Sequence, residues 1–279
     1  MKKILFPTDF SEASENAFAY ALHLADAIKA EIITLHVYEY PIIDSGYIDV
    51  PVYQADVYQS LELHDFENYK SQIPLLRKIA EAHNKENIKI SNVLLQGDLV
   101  SSVVQHVKDD NIDYVVMGTH GATGLKEVFL GSSTASIMTG TKAYVLGIPE
   151  ESKYEAIEKI GFTTQFNKHD FNALKKVLEI AKAFNAQVEC LYVKTPDNEV
   201  DEVIIADWKL IFKDQGVTFY TIESKEVEET IIDFIDTYKI DVLSILNHRR
   251  GFWEGLFHTS LTKKLAFHSK IPLLVLHED

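Results

Sequence analysis

At 279 residues the chain is long enough for about two domains, each with its own core. Its 46% apolar and 25% charged content is ordinary for a soluble globular protein. The formal charge of −15 argues against nucleic acid or an anionic membrane surface as a partner, and no apolar run approaches the ~20 residues that span a bilayer.

The first apolar run, after Lys2 and Lys3, stops at Pro7, with Asp9 and Glu12 close behind. It is too short for the core of a secretory signal, so a cytoplasmic chain is expected. The single cysteine, Cys190, has no internal disulfide partner, which fits a reducing compartment. Its place in the strand-like run QVECLYV predicts a buried structural thiol.

In chain order, a strand is predicted over Lys3–Thr8, then a helix from about Ala13 to Lys29 capped by Ser11. Strand Glu31–Tyr38 follows. The connection Glu39–Gln59 is long, and its length fits either a flap or a lid over a pocket. A helix over Leu61–Asn87, a strand over Ile88–Leu95 and a helix from Gly97-Asp98 through Lys108 come next. Strand Asp113–Met117 then runs into a glycine-rich segment, a further helix and a last strand, KAYVLGI. Strands alternating with helices predict an α/β fold: an open-twisted parallel sheet with helices on both faces. Ligands bind such sheets beyond the C-terminal strand ends, at the switch point of strand order. Thr8-Asp9 and Gly118 both occupy such ends.

The pattern occurs twice. KILFPTDFSEASENAF (from Lys3) aligns with KIGFTTQFNKHDFNAL (from Lys159), and NIDYVVMGTHGATGLKEVFLGSS with KIDVLSILNHRRGFWEGLFHTS. Repeats this long read as two tandem copies of one domain, 1–150 and 151–279, joined at the charged stretch Pro149–Tyr154. The second copy lacks most of the Glu39–Gln59 connection.

The most informative stretch is Asp113–Ser133, DYVVMGTHGATGLKEVFLGSS, with Gly118, Gly121 and Gly131-Ser132 in the spacing G-x2-G-x9-G-S. Glycines between a strand and a helix let backbone N–H groups approach a phosphate, and the helix dipole favours negative charge there. The spacing is neither the Walker A loop nor the dinucleotide fingerprint. It resembles the nucleotide-binding signature of the universal stress protein family, as do the flanking GTHGATGL and GSS. The resemblance extends to a tandem member of that family with adenine nucleotide alpha-hydrolase-like, Rossmann-like domains.

That resemblance implies a cytoplasmic stress-response protein binding ATP or AMP, acting by binding and signalling more than by turnover, with Mg2+ or Mn2+ held mainly by the phosphates if present. It places Asp9, beside Pro7 and Thr8, on the adenosine, and the main chain of Val37 on the adenine. Met117 and Gly118 end the strand under the nucleotide, His120 lies near the ribose and phosphates, and Gly121, Gly131, Ser132 and Ser133 receive the phosphates. Asp9 as a cap of the first helix is the competing assignment, with Ser11 better placed for capping. A solvated loop histidine competes for His120, and Lys126 reads as solvated. An unknown protein partner is implied, and an intramolecular pseudo-dimer of the two copies through their last strands; a homodimer is compatible with it.

In the second copy Asp9 becomes Gln165 and Pro7 becomes Thr163. Counting from Glu127 on Glu254, Gly118 falls on Ile245, Gly121 on His248 and Gly131 on His258, with Gly124 kept as Gly251. Arg249 and Arg250 remain, without a backbone cradle. The second copy is therefore expected to be structural or partner-binding. No metal spacing among the histidines, no G-x-S-x-G elbow and no paired carboxylates point to catalysis. A slow ATP hydrolase or phosphotransfer enzyme and a nucleotide-free scaffold are the alternative readings.

Overall fold

The computed structural model describes residues 1–39, 51–119 (51–61 by backbone alone), 131–196, 198–247 and 271–277. The described residues form ten strands and seven helices. In the first half these are β1 (Lys2–Pro7), α1 (Glu12–Ile28), β2 (Ala30–Tyr38), α2 (Pro51–Ala82), β3 (Ile90–Gln96), α3 (Leu99–Asp109), β4 (Tyr114–Gly118), α4 (Ser132–Gly140) and β5 (Tyr144–Ile148). The second half continues with β6 (Lys159–Thr163), α5 (Lys168–Phe184), β7 (Gln187–Lys194), α6 (Glu202–Ile211), β8 (Val217–Glu223), α7 (Val227–Tyr238), β9 (Val242–Asn247) and β10 (Leu273–His277).

All ten strands join one sheet in the order β3-β2-β1-β4-β5-β10-β9-β6-β7-β8. Every neighbouring pair is parallel except β5 with β10, which run antiparallel at the centre. Parallel strands covered on both faces must be apolar throughout. Ile4, Leu5 and Phe6 obey this: all three are fully buried. Because side chains alternate, Ile4 and Phe6 join the core under α1 and α5, with Phe18 and Leu174. Leu5 joins the opposite core, under α3, α4 and α7, with Val103, Ile137 and Phe234. Cys190 is fully buried in the first of these layers, and burial pushes its thiol pKa up.

The two halves match closely. Helices α1 and α5 are both 17 residues long, capped by the side chains of Ser11 and Asn167 and ended by left-handed Lys29 and Asn185. Asp113 Oδ2 accepts from the Lys3 amide, and Asp241 Oδ2 accepts from the Lys159 amide, each at 2.8 Å.

Two expectations are corrected. Helix α2 begins at Pro51, so much of the stretch expected as a long connection is helix. Proline suits the first turn, where its missing N–H costs nothing. The helix also stops before Asn87, because Asn84 turns to φ +55° and the Lys85 amide closes on the Ala80 carbonyl. The second correction is one of register. Tyr114 pairs beside Ile4, and Val242 beside Ile160, so the counterpart of Gly118 is Leu246, not Ile245. Strand pairing sets this correspondence, whereas counting back from Glu127 and Glu254 crosses stretches of sequence that differ by one residue in length.

Candidate functional site

In the first half the order β3-β2-β1-β4-β5 reverses between β1 and β4: the chain leaves β1 towards β2 and leaves β4 towards β5. In such sheets ligands bind beyond the C-terminal strand ends at this switch point.

At the end of β1, Pro7 and Thr8 are buried. The Thr8 hydroxyl is committed internally: it accepts from the Phe10 amide at 3.0 Å and bonds the Ser14 hydroxyl at 2.7 Å. Phe10 accordingly takes φ +57°. Asp9 is exposed, and its Oδ1 accepts from the Ser11 amide (3.1 Å) and hydroxyl (2.6 Å). Ser11 in turn caps α1 by accepting from the Ser14 amide. The expected cap is thus Ser11, and Asp9 positions that cap, a role the sequence reading did not assign.

Beside Thr8, in β2, His36 donates from Nδ1 to the Thr8 carbonyl at 2.7 Å, and its ring packs on Phe10 and Tyr69. Val37 follows, half-buried and in register with Leu95 of β3. This aromatic wall was not anticipated. Its members lie far apart in sequence, and no local spacing links them.

At the end of β4, Met117 is buried and pairs with Gly147, and Gly118 pairs with Ile148. The Thr119 amide donates to the Ile148 carbonyl, and the Thr119 carbonyl accepts from the Gly131 amide at 2.8 Å. The Thr134 hydroxyl donates to the Gly118 carbonyl at 3.2 Å. These bonds fasten the start of α4 against the end of β4. Gly131 offers no side-chain cap, leaving the first helical N–H groups to other acceptors. Ser132 is exposed and Ser133 half-buried there.

Gly131 has φ −58°, so its glycine is not required by a left-handed backbone. Space requires it instead: a Cβ would stand 3.0 Å from the Thr119 carbonyl oxygen. His120, Gly121, Gly124, Lys126 and Glu127 lie outside the described residues, as do His248, Arg249, Arg250, Gly251, Glu254 and His258.

In the second half the turn survives while its chemistry changes. The Thr164 hydroxyl accepts from the Phe166 amide, and Phe166 has φ +56°. Asp170, in the place of Ser14, takes the Gln165 amide at 2.6 Å. Leu246, only 3% exposed, fills the place of Gly118. Among the described residues no three histidine, cysteine or acidic side chains come together as a metal site, and no helix is long and apolar enough to cross a membrane.

The geometry defines an open α/β protein whose strand order reverses between β1 and β4, with the start of α4 bonded to the end of β4. Residues 1–149 match the universal stress protein family, and the chain belongs to that family. It is 32% identical over 163 residues to universal stress protein MJ0577 of Methanocaldococcus jannaschii, covering 54% of this chain and 96% of that protein. It is 27% identical over 134 residues to universal stress protein YxiE of Bacillus subtilis, covering 47% and 86%. A crystal structure of a universal stress protein from Archaeoglobus fulgidus spans 99% of this chain and 96% of its own, with TM-score 0.73 and 18% identity. That likeness extends the fold over both halves.

Proposed function

We propose that the first half, residues 1–150, binds one adenine nucleotide, ATP or AMP, in the β1–β4 crevice, and that the protein acts as a cytoplasmic stress-response regulator. The single observation that carries this reading is the start of α4, whose N-cap Gly131 supplies no side-chain bond and which is fastened to the end of β4 through Gly131 and Thr134. An anion placed there meets the first N–H groups of α4 and the positive end of its dipole. In this reading Gly118, His120, Gly121, Gly131, Ser132 and Ser133 surround the phosphates. Asp9 meets the ribose, and Val37 and Met117 border the base beside the Phe10–His36–Tyr69 wall.

Binding without efficient turnover is the favoured mode. The carboxylate at the crevice, Asp9, is held by the Ser11 amide and hydroxyl and is poorly placed as a general base. Mg2+ or Mn2+, if present, would be held mainly by the phosphates. Residues 151–279 act as a second, degenerate unit that pairs with the first as an intramolecular pseudo-dimer, a reading supported by the antiparallel β5–β10 join. There Leu246 stands at the place of Gly118, and Asp170 takes the Gln165 amide.

Calorimetry with ATP and with AMP tests this: one site per chain is expected, and two equal sites or none would refute it. Mass spectrometry of small molecules released from heat-denatured protein identifies the nucleotide.

A further inference from the structure

The segment after β5 lies across α1. Asn16 donates from Nδ2 to the Ser152 carbonyl. The Tyr20 hydroxyl bonds the Ser152 hydroxyl at 2.8 Å and donates to the Lys153 carbonyl at 3.0 Å. The Tyr154 ring stacks on His23 at 3.7 Å, and Ser152 is thereby buried. A strip of chain thus lies along α1, held at Asn16, Tyr20 and His23.

In the second half a cavity of about 240 Å³ lies between α5 and the ends of β9 and β10. Lys168, His169, Asn172, Lys176 and Leu246 line it, and Tyr144 of β5 closes one side. Helix α5 copies α1 residue for residue, so Asn172 stands where Asn16 holds a peptide carbonyl, Lys176 replaces Tyr20 and Lys168 replaces Glu12.

We infer that this cavity receives an extended acidic peptide segment of a partner protein. The first half supplies the template for a peptide backbone, with the Asn172 carboxamide as the carbonyl donor. Lys168 and Lys176 supply carboxylate partners, and the positive end of α5 adds to them. Two nearby acids do not oppose this. Asp170 turns its carboxylate onto the Thr164 hydroxyl and the Gln165 amide. Glu179, further along α5, does not line the cavity; it faces Tyr114, whose phenol pKa is raised by burial first, then by Tyr144 and Asp113, and least by Glu179. In a chain of net charge −15, the described side chains here reverse the sign locally and select an acidic ligand.

The test titrates an acetylated, amidated peptide PEESKY, copying residues 149–154, into the full ¹⁵N-labelled chain. Saturable binding is expected, with amide shifts centred on Asn172 and Lys176. Lys168→Glu and Lys176→Glu should each weaken it about five- to tenfold, Asn172→Ala should weaken it as well, and the peptide PQQSKY should bind less tightly. All three changes are on the solvent side of α5, and an unchanged melting temperature verifies the fold. Absent saturation, or equal affinity for the charge-reversed variants, overturns the inference. Binding that emerges only after deletion of Glu278 and Asp279 would assign the groove to the chain's own acidic end and overturn it too. Displacement of the peptide by AMP would put it in the nucleotide crevice, with the same consequence.

Discussion

Replacing Gly131 separates the fold from the proposed phosphate site. A Cβ at this position meets the Thr119 carbonyl oxygen at 3.0 Å, tighter than ordinary van der Waals contact, so either that carbonyl or the helix start must shift. Gly131→Ala asks for a few tenths of an ångström. Gly131→Val adds two methyl groups beside the 2.8 Å bond from the Gly131 amide to Thr119. With φ at −58° neither residue meets backbone strain, so the cost is steric, about 1–3 kcal/mol for valine on the scale of overpacked interiors. Moving the α4 N-terminus off the phosphates forfeits one or two charge-assisted hydrogen bonds at about 1.5–3 kcal/mol each. That corresponds to roughly tenfold or more in affinity for valine, with alanine between valine and the parent. Calorimetry with ATP, alongside thermal melting of both variants, reads the two effects. A folded Gly131→Val protein with undiminished affinity would show that the phosphates lie elsewhere.

Asp9→Ala should weaken ATP and AMP alike while leaving competition by tripolyphosphate unchanged. Because Asp9 also positions the Ser11 cap, a stability loss within the ~0.5–2 kcal/mol range of helix caps should accompany it, and melting with full affinity would remove Asp9 from the site. Leu5→Ala, at a fully buried position of β1, should cost about 2–5 kcal/mol in chemical denaturation; a loss below 1 kcal/mol would mean that the layer under α3 and α4 repacks freely. His23 is held at a pKa of about 4 by burial, then by Lys85 and His83. The unfolded chain protonates near 6.5, so this contribution is complete above about pH 6.5 and is lost as pH falls through about 4. His23→Gln should therefore flatten the decline of melting temperature between pH 7 and 4.5, and parallel curves for the two proteins would refute the assignment.

The parts of the fold that repeat locally were legible in the sequence. Apolar runs such as KILFP and YVVMG marked buried parallel strands, and Ser11 marked the start of α1 one residue from where it lies. Within the family signature Asp113–Ser133, the Gly131 amide bonds the Thr119 carbonyl. Long-range features were hidden. Nothing around His36 announces a hydrogen bond to Thr8, and nothing in Thr8 indicates that its hydroxyl serves the turn. The start of α2 was missed because its first turns carry tyrosine, aspartate and valine without helical periodicity. The counterpart of Gly118 is misplaced by one residue when counted from Glu127 and Glu254, because only strand pairing registers two stretches of different length.

The antiparallel join of Val145 with Val275 and Leu146 with Leu274 changes what dilution can do to this protein. Each of these strands would otherwise present an unpaired apolar rim, the feature that drives strands of separate chains to associate. Here the partner rim is carried on the same polypeptide, at an effective concentration set by covalent linkage and independent of expression level. Within one chain β10 covers the rim of β5 and β5 covers that of β10, so neither rim depends on a strand supplied at another concentration.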